Sequence, residues 1–215
     1  MSVLPFETDA AVSAAIPSVI AHLQRGGLLA YPTETVYGLG SRAKVADVAA
    51  LAELKGRRSD KPFLLLISGR EMAEAHGLAF NAAADALARA FWPGPLTIVL
   101  PGGRLPDGLR GPEGGIAVRW TSHRSIARLV ADMREPLTST SANLPGSPPA
   151  PGAEAIVRDF QQPVREGKLL VLDGGVLGNR PPSTVVDCTR PATRLIRLGA
   201  ISVAELRRAV GSLAP

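Results

Sequence analysis

Short apolar runs of strand length alternate along this chain with longer stretches whose apolar positions recur at helical spacing. The pattern predicts strands at residues 27–31, 62–67, 96–100, 115–119, 136–140, 168–173, 183–188 and 194–197. The run Pro62-Phe63-Leu64-Leu65-Leu66-Ile67 is continuous rather than alternating, which suits a strand covered on both faces. Helices are predicted over 45–54, over 82–91, from a cap at Ser122 to about Met133, and over 153–160. A last helix starts at Ser202-Val203-Ala204-Glu205, a capping-box pattern. Asn81 supplies a cap ahead of Ala82, Lys55-Gly56 closes the first helix, and Pro93-Gly94-Pro95 breaks the chain before the next strand. Residues 143–152 read as a Pro/Gly loop. With no repeat and no long linker, the alternation implies one α/β domain over residues 1–215. The order is less regular than a strict βαβ series, so the sheet is expected to be mixed.

Composition narrows the partners more than the fold. The 215 residues are long enough to bury a real core, which Ala, Leu and Val supply. A formal net charge of +5 favours polyanionic partners such as nucleotides or RNA. The single cysteine, Cys188, excludes an intrachain disulfide. It lies in a predicted strand with no histidine nearby in sequence, so it reads as a buried structural thiol. The N-terminus lacks a basic segment followed by an apolar one, and no apolar run approaches the roughly 20 residues that span a bilayer. A soluble cytoplasmic protein is expected.

Candidate chemistry collects in a few places. Lys55-Gly56-Arg57-Arg58-Ser59-Asp60-Lys61 packs cations between a helix and an apolar strand. The dipole of the helix end accounts for Lys55 but not for Lys61. Lysine offers a point charge and arginine a planar fork, and together they suit a triphosphate. Pro32-Thr33-Glu34-Thr35-Val36-Tyr37-Gly38-Leu39-Gly40 is either a capping turn or a binding loop with three hydroxyls and two glycines. Thr138-Ser139-Thr140-Ser141-Ala142-Asn143 is a second hydroxyl-rich stretch, and Ser183-Thr184 opens a later strand in the same manner. Arg119 and Arg197 each end a predicted strand, and Arg119 is either paired at the surface or placed to hold a substrate carboxylate. These features describe a pocket for an anionic, nucleotide-sized ligand. Gly38-Leu39-Gly40-Ser41-Arg42-Ala43 mimics a dinucleotide fingerprint, but a Pro-Thr-Glu-Thr segment separates it from the strand it should follow. There is no P-loop and no Gly-x-Ser-x-Gly elbow. His22, His76 and His123 lack metal spacing and read as surface or helix residues, so no metal site is expected.

In combination these motifs resemble the YrdC/TsaC family, the threonylcarbamoyl-AMP synthases, in their short bacterial form. The resemblance runs end to end. It rests on the Pro32 to Leu39 segment, Lys55-Gly56-Arg57, Lys61-Pro62, Trp92-Pro93-Gly94-Pro95-Leu96-Thr97, Ala117-Val118-Arg119, Ser141-Ala142-Asn143 and Ser183-Thr184-Val185-Val186-Asp187. It implies a single YrdC-like α/β domain, with a twisted mixed sheet flanked by helices around a basic concave cavity. It also implies a nucleotidyl transfer that joins L-threonine, bicarbonate and ATP into threonylcarbamoyl-adenylate and pyrophosphate. Partner proteins then pass the threonylcarbamoyl group to tRNA, with possible direct contact to tRNA or double-stranded RNA and none to membrane. Carried over by position, Thr35, Arg119, Ser139 and Ser183 would hold threonine. Lys55, Arg57, Lys61, Ser141 and Arg197 would hold ATP, with Mg²⁺ carried mainly by the nucleotide. Lys55, Arg57 and Asn143 would form the catalytic signature.

The chain departs from the family pattern at two positions. Leu66 stands where some longer relatives carry a histidine, and Pro149 where a hydroxyl is usual. The extra C-terminal domain of longer relatives is expected to be absent. Two other classes compete. One is a non-catalytic RNA-binding or ribosome-associated module. The other is a carbamoyl-adenylate-handling domain like those of hydrogenase-maturation carbamoyltransferases.

Overall fold

The computed structural model describes residues 2–56, 62–178 and 180–214. Its strands are β1 (Val3–Pro5), β2 (Leu28–Tyr31), β3 (Gly38–Gly40), β4 (Leu64–Ile67), β5 (Leu96–Leu100), β6 (Ile116–Trp120), β7 (Leu137–Ser141), β8 (Leu169–Asp173), β9 (Thr184–Asp187) and β10 (Arg194–Arg197). They form one sheet in the order β1-β8-β2-β3-β7-β4-β6-β5-β9-β10. β8 runs parallel to both β1 and β2, β4 to β6, and β5 to β9. The remaining pairs are antiparallel, so the sheet is mixed, as the irregular element order predicts.

Successive residues of a strand face opposite sides, and each side here has its own core. On one side, Leu29, Tyr31, Leu66, Leu137, Leu170 and Leu172 meet α1 (Asp9–Gln24) and α5 (Arg124–Met133). On the other, Leu65, Ile67, Leu96, Ile98, Val118 and Val186 meet α2 (Val45–Leu54), α4 (Ala82–Phe91) and α8 (Val203–Val210). Between these in sequence lie α3 (Arg70–Ala75), α6 (Ala153–Asp159) and α7 (Gln161–Arg165). The continuous apolar run at β4 follows from its position, since both of its faces are covered.

Side-chain caps mark the starts of α1, α4 and α8. The Asn81 side chain accepts from Ala84 N at 2.9 Å, and Ser202 with Glu205 closes a full capping box. Each such cap stabilises by about 0.5–2 kcal/mol. Ser122, expected to cap α5, does not do so. His123 holds that position without a side-chain bond, one residue later than the pattern predicts. The patterning also predicts nothing before Gly27, where the structure has β1 and the 16-residue α1. The stripe Val12, Ala15, Ile16, Val19 and Leu23 is helical, but Pro17 and abundant alanine mask it. Among the described residues no helix is long and apolar enough to cross a membrane.

Gly38 to Gly40 is a strand rather than a phosphate-binding turn. A Cβ on Gly40 would lie 2.1 Å from the carbonyl oxygen of Thr138, and one on Gly38 would lie 3.0 Å from the Tyr31 ring. Their close approach is therefore to the protein itself. The same packing directs Tyr37 away from any ligand: its hydroxyl donates to Gly175 O at 2.8 Å and accepts from Gly174 N at 3.0 Å.

Candidate functional site

The side of the sheet covered by α1 and α5 is not helix-covered along its whole width. Toward β6, β5, β9 and β10 it lines a cavity of about 440 Å³. Register decides which residues face it. Val99 pairs with Ala117 and with Asp187, Thr97 pairs with Val185, and Leu64 pairs with Ser139, all on the cavity side. Arg119 pairs with Leu66 on that same side, which directs its guanidinium toward the cavity. Leu66 itself is fully buried in the core beneath α5 and is not part of the cavity wall.

Arg197 reaches the cavity by a different route. Arg194 pairs with Asp187 and Leu195 with Val186, so strict alternation would turn Arg197 to the side of Leu195. A bulge at Ile196 shifts the register by one residue, and Arg197 pairs with Val185 on the cavity side. There its guanidinium donates to Ser183 O at 2.9 Å and to Ser183 Oγ at 3.1 Å. Ser183 Oγ is in turn 2.9 Å from Thr97 Oγ1. Burial holds the Arg197 guanidinium below its ordinary pKa, and the positive charge of Arg119 adds to the effect. Two cations therefore converge on one space, where an anion would relieve their repulsion.

Arg119 is only 4 % exposed. Its one hydrogen bond among the described residues is long, Nη1 to Thr35 Oγ1 at 3.4 Å. Thr35 Oγ1 lies 3.0 Å from Thr33 Oγ1, and Thr33 Oγ1 ties the turn together by donating to Val36 O at 2.7 Å. The acid nearest Arg119 is Glu34, whose Oε1 is 3.9 Å from Arg119 Nε. That separation makes an ion pair but not a hydrogen bond, and both atoms are buried without a hydrogen-bonding partner. At an effective dielectric constant of 20 the gross attraction is about 4 kcal/mol, most of which offsets the desolvation of the two charges. The other Glu34 oxygen accepts from Thr121 Oγ1, which also accepts from His123 N at 3.2 Å. Burial lowers the His123 pKa, and the nearby Glu34 carboxylate only partly counters this.

The second hydroxyl-rich stretch is held from behind. Lys55 Nζ donates to Ser141 O at 3.0 Å, to Asn143 Oδ1 at 3.0 Å and to Asn143 O. Asn143 Oδ1 also accepts from Ser141 Oγ at 2.6 Å, and its Nδ2 donates to Ser147 O at 2.6 Å. Lys55 and Asn143 thus set the path of the loop that presents Ser141 to the cavity. At the far end, Asp187 Oδ1 accepts from Thr189 N and Oγ1 at 2.8 and 2.7 Å, and its Oδ2 accepts from Arg194 Nη2 at 3.2 Å. Arg194 also bonds Glu113 at 3.0 Å. Three arginines against two carboxylates leave the described cavity wall basic.

Known proteins bear on this geometry. The Sua5_yciO_yrdC family model, described as "Telomere recombination", matches residues 21–199. The chain belongs to the Sua5/YciO/YrdC family. A threonylcarbamoyl-AMP synthase of Pyrococcus abyssi is 34% identical over 194 residues, which cover 89% of this chain and 56% of that protein. One from Thiobacillus denitrificans is 39% identical over 173 residues, covering 80% and 89%. The chain thus spans little more than half of the first relative and most of the second. The crystal structure of P. abyssi Sua5 complexed with L-threonine superposes with a TM-score of 0.87 at 30% identity, covering all of this chain and 63% of that one.

In this family member, the sequence-predicted residues Thr35, Arg119, Ser139, Ser141, Ser183 and Arg197 all line one cavity. Lys55 and Asn143 stand behind Ser141. Arg57 and Lys61 lie outside the described residues. Sequence reasoning placed Thr33 in a candidate binding loop, but it missed Thr97 and Asp187 as wall residues and Glu34 as the acid beside Arg119. It also read His123 as an ordinary surface or helix residue. Thr97 could have been found from its place in the alternating strand 96–100, as the polar member opposite Leu96 and Ile98. Among the described residues no cluster of three metal-ligating side chains occurs, and both cavity carboxylates are taken by arginine. A protein-held metal does not fit that donor set.

Proposed function

We propose that the protein makes threonylcarbamoyl-AMP and pyrophosphate from L-threonine, bicarbonate and ATP, as a nucleotidyltransferase feeding tRNA modification. The observation that carries this reading is the convergence of Arg119 and Arg197, with the hydroxyls of Thr35, Ser139 and Ser183, on one basic cavity. The names of the relatives support it. Arg119 pairs with the threonine carboxylate, and Arg197 and Ser141 serve the phosphates beside Lys55, Arg57 and Lys61. ATP enters as its magnesium complex, with the ion held by the phosphates and water.

The chemistry asks mainly for positioning and charge neutralisation. The threonine amine, once deprotonated, attacks the carbon of carbon dioxide, or that of bicarbonate with loss of water. The product is a carbamate. A carbamate oxygen then forms a bond to the α-phosphorus of ATP. The bond from that phosphorus to the bridging oxygen breaks, and pyrophosphate leaves with the electron pair. Carbamates lose carbon dioxide in water, so a cavity that orders both reactants before the second step is what the reaction needs. The threonylcarbamoyl group then passes to tRNA through partner proteins.

The test is pyrophosphate release from ATP, with threonine and bicarbonate supplied singly and together. Release that requires both is expected. No release in any combination, from folded protein with Mg²⁺ present, overturns the reading in favour of a non-catalytic RNA-binding module. Such a module would bind tRNA with a steep salt dependence.

A further inference from the structure

Glu34 is not part of the cavity wall, yet it is the acid nearest Arg119. Its two oxygens are treated differently. Oε2 is fixed by the hydroxyl of Thr121, a fully buried side chain whose oxygen also accepts the His123 backbone N–H. Oε1 faces Arg119 Nε across 3.9 Å, too far for a hydrogen bond, and both atoms are buried with no other partner. Asp187, a carboxylate of the cavity wall, closes on its cation, Arg194, at 3.2 Å. The Glu34 carboxylate is instead anchored from behind and held short of contact. The guanidinium feels its charge but keeps its donors, with one long bond to Thr35, for something else.

From this geometry we infer that Glu34, anchored by Thr121, is a positioning residue that orients Arg119 for the carboxylate of an α-amino acid. The inference rests on the proposed function, because it takes threonine as the ligand of Arg119. Glu34 touches neither substrate. It sets the angle and the residual charge of the guanidinium that does. Without the carboxylate, Arg119 and Arg197 would face each other with less compensation, and the Arg119 fork would lose its fixed approach. The effect should fall on threonine and spare ATP, because the Arg197 bonds go to Ser183 and not to Glu34.

The test uses the full chain and measures pyrophosphate release with each substrate varied in turn, alongside the melting temperature. Glu34→Gln keeps the shape and removes the charge. It is expected to raise the threonine KM by about tenfold or more while the ATP KM and kcat stay within about threefold. Thr121→Val removes the anchor and should move the threonine KM in the same direction by less, and Thr121→Ser, which restores a hydroxyl, should return it toward the parent value. A threonine KM within about twofold of the parent in Glu34→Gln, or equal rises for threonine and ATP, overturns the inference while leaving the function intact. If Glu34→Gln does not fold, the valine and serine variants decide, and no difference between them overturns it. A parent protein that needs no threonine overturns the function itself and this inference with it.

Discussion

Two carboxylates flank one cavity, and they are satisfied to different degrees. Asp187 at the β9 end accepts three hydrogen bonds, from Thr189 N, Thr189 Oγ1 and Arg194. Glu34 at the other end accepts one from Thr121 and leaves its second oxygen 3.9 Å from Arg119. Among the described residues three buried side-chain polar atoms lack a hydrogen-bonding partner, and all three are at this end: Glu34 Oε1, Arg119 Nε and His123 Nδ1. Buried polar groups are ordinarily paired because each unpaired one costs about 1–3 kcal/mol. Protein segments that break such a rule tend to be those that await a ligand. On the proposed function, the Asp187 end acts as a strut and the Glu34 end is where binding is completed.

The contrast can be broken most severely at Arg119. Arg119→Ala should lower kcat/KM for threonine by about a hundredfold or more, the loss expected when one half of a buried charge contact is deleted. Arg119→Lys should recover little of it, because an ammonium lacks the planar fork. Steady-state kinetics with threonine as the varied substrate checks both. A fall of less than about tenfold in the alanine variant would return Arg119 to the strut class.

The strut is tested through stability. Asp187→Asn keeps the size but loses the ion pair with Arg194 and sets an amide where two donors point. A loss of about 1–3 kcal/mol is expected, seen as a fall of about 2–4 °C in Tm per kcal/mol for a chain of this length. Glu34→Gln should change Tm much less, and differential scanning calorimetry of the two variants side by side measures the contrast. Equal losses would mean that the two carboxylates do the same job.

The smallest effect concerns pH. Burial holds the folded-state pKa of His123 below its ordinary value of 6.5. Between the lower folded value and 6.5 the unfolded chain binds more protons, so stability rises with pH across that window. The stability present above about pH 6.5 is lost as pH falls through the unfolded value toward the folded one. In His123→Asn that part of the acid sensitivity should disappear. Melting curves at several pH values check it, and an unchanged pH profile would place the His123 ring in solvent.

Much of this architecture could be read in the chain, and the exceptions have physical causes. Strands with pure alternation or continuous apolar runs, such as β4 and β5, were legible because burial leaves a direct mark on composition. Helix α1 was not, because Pro17 and its alanines dilute the stripe. The cavity hydroxyls at Ser139, Ser141 and Ser183 stood out as clusters of polar residues at strand ends. Tyr37 stood out equally and proved to be a structural clasp on Gly174 and Gly175. Arg197 could be suspected from its place in the chain, but its side of the sheet depends on a bulge at Ile196 that alternation alone would miss. Glu34 and His123 are 89 residues apart in sequence, so their meeting beside Arg119 is a product of the fold alone.

The central claim is that Arg119 holds the carboxylate of an amino acid. Calorimetric titration of the purified protein with L-threonine and with L-threoninol, which lacks the carboxylate but keeps the amine and hydroxyl, tests it most directly. Saturable binding of threonine, with at least about a hundredfold weaker binding of threoninol, is the expected result. Equal affinity for the two would contradict it.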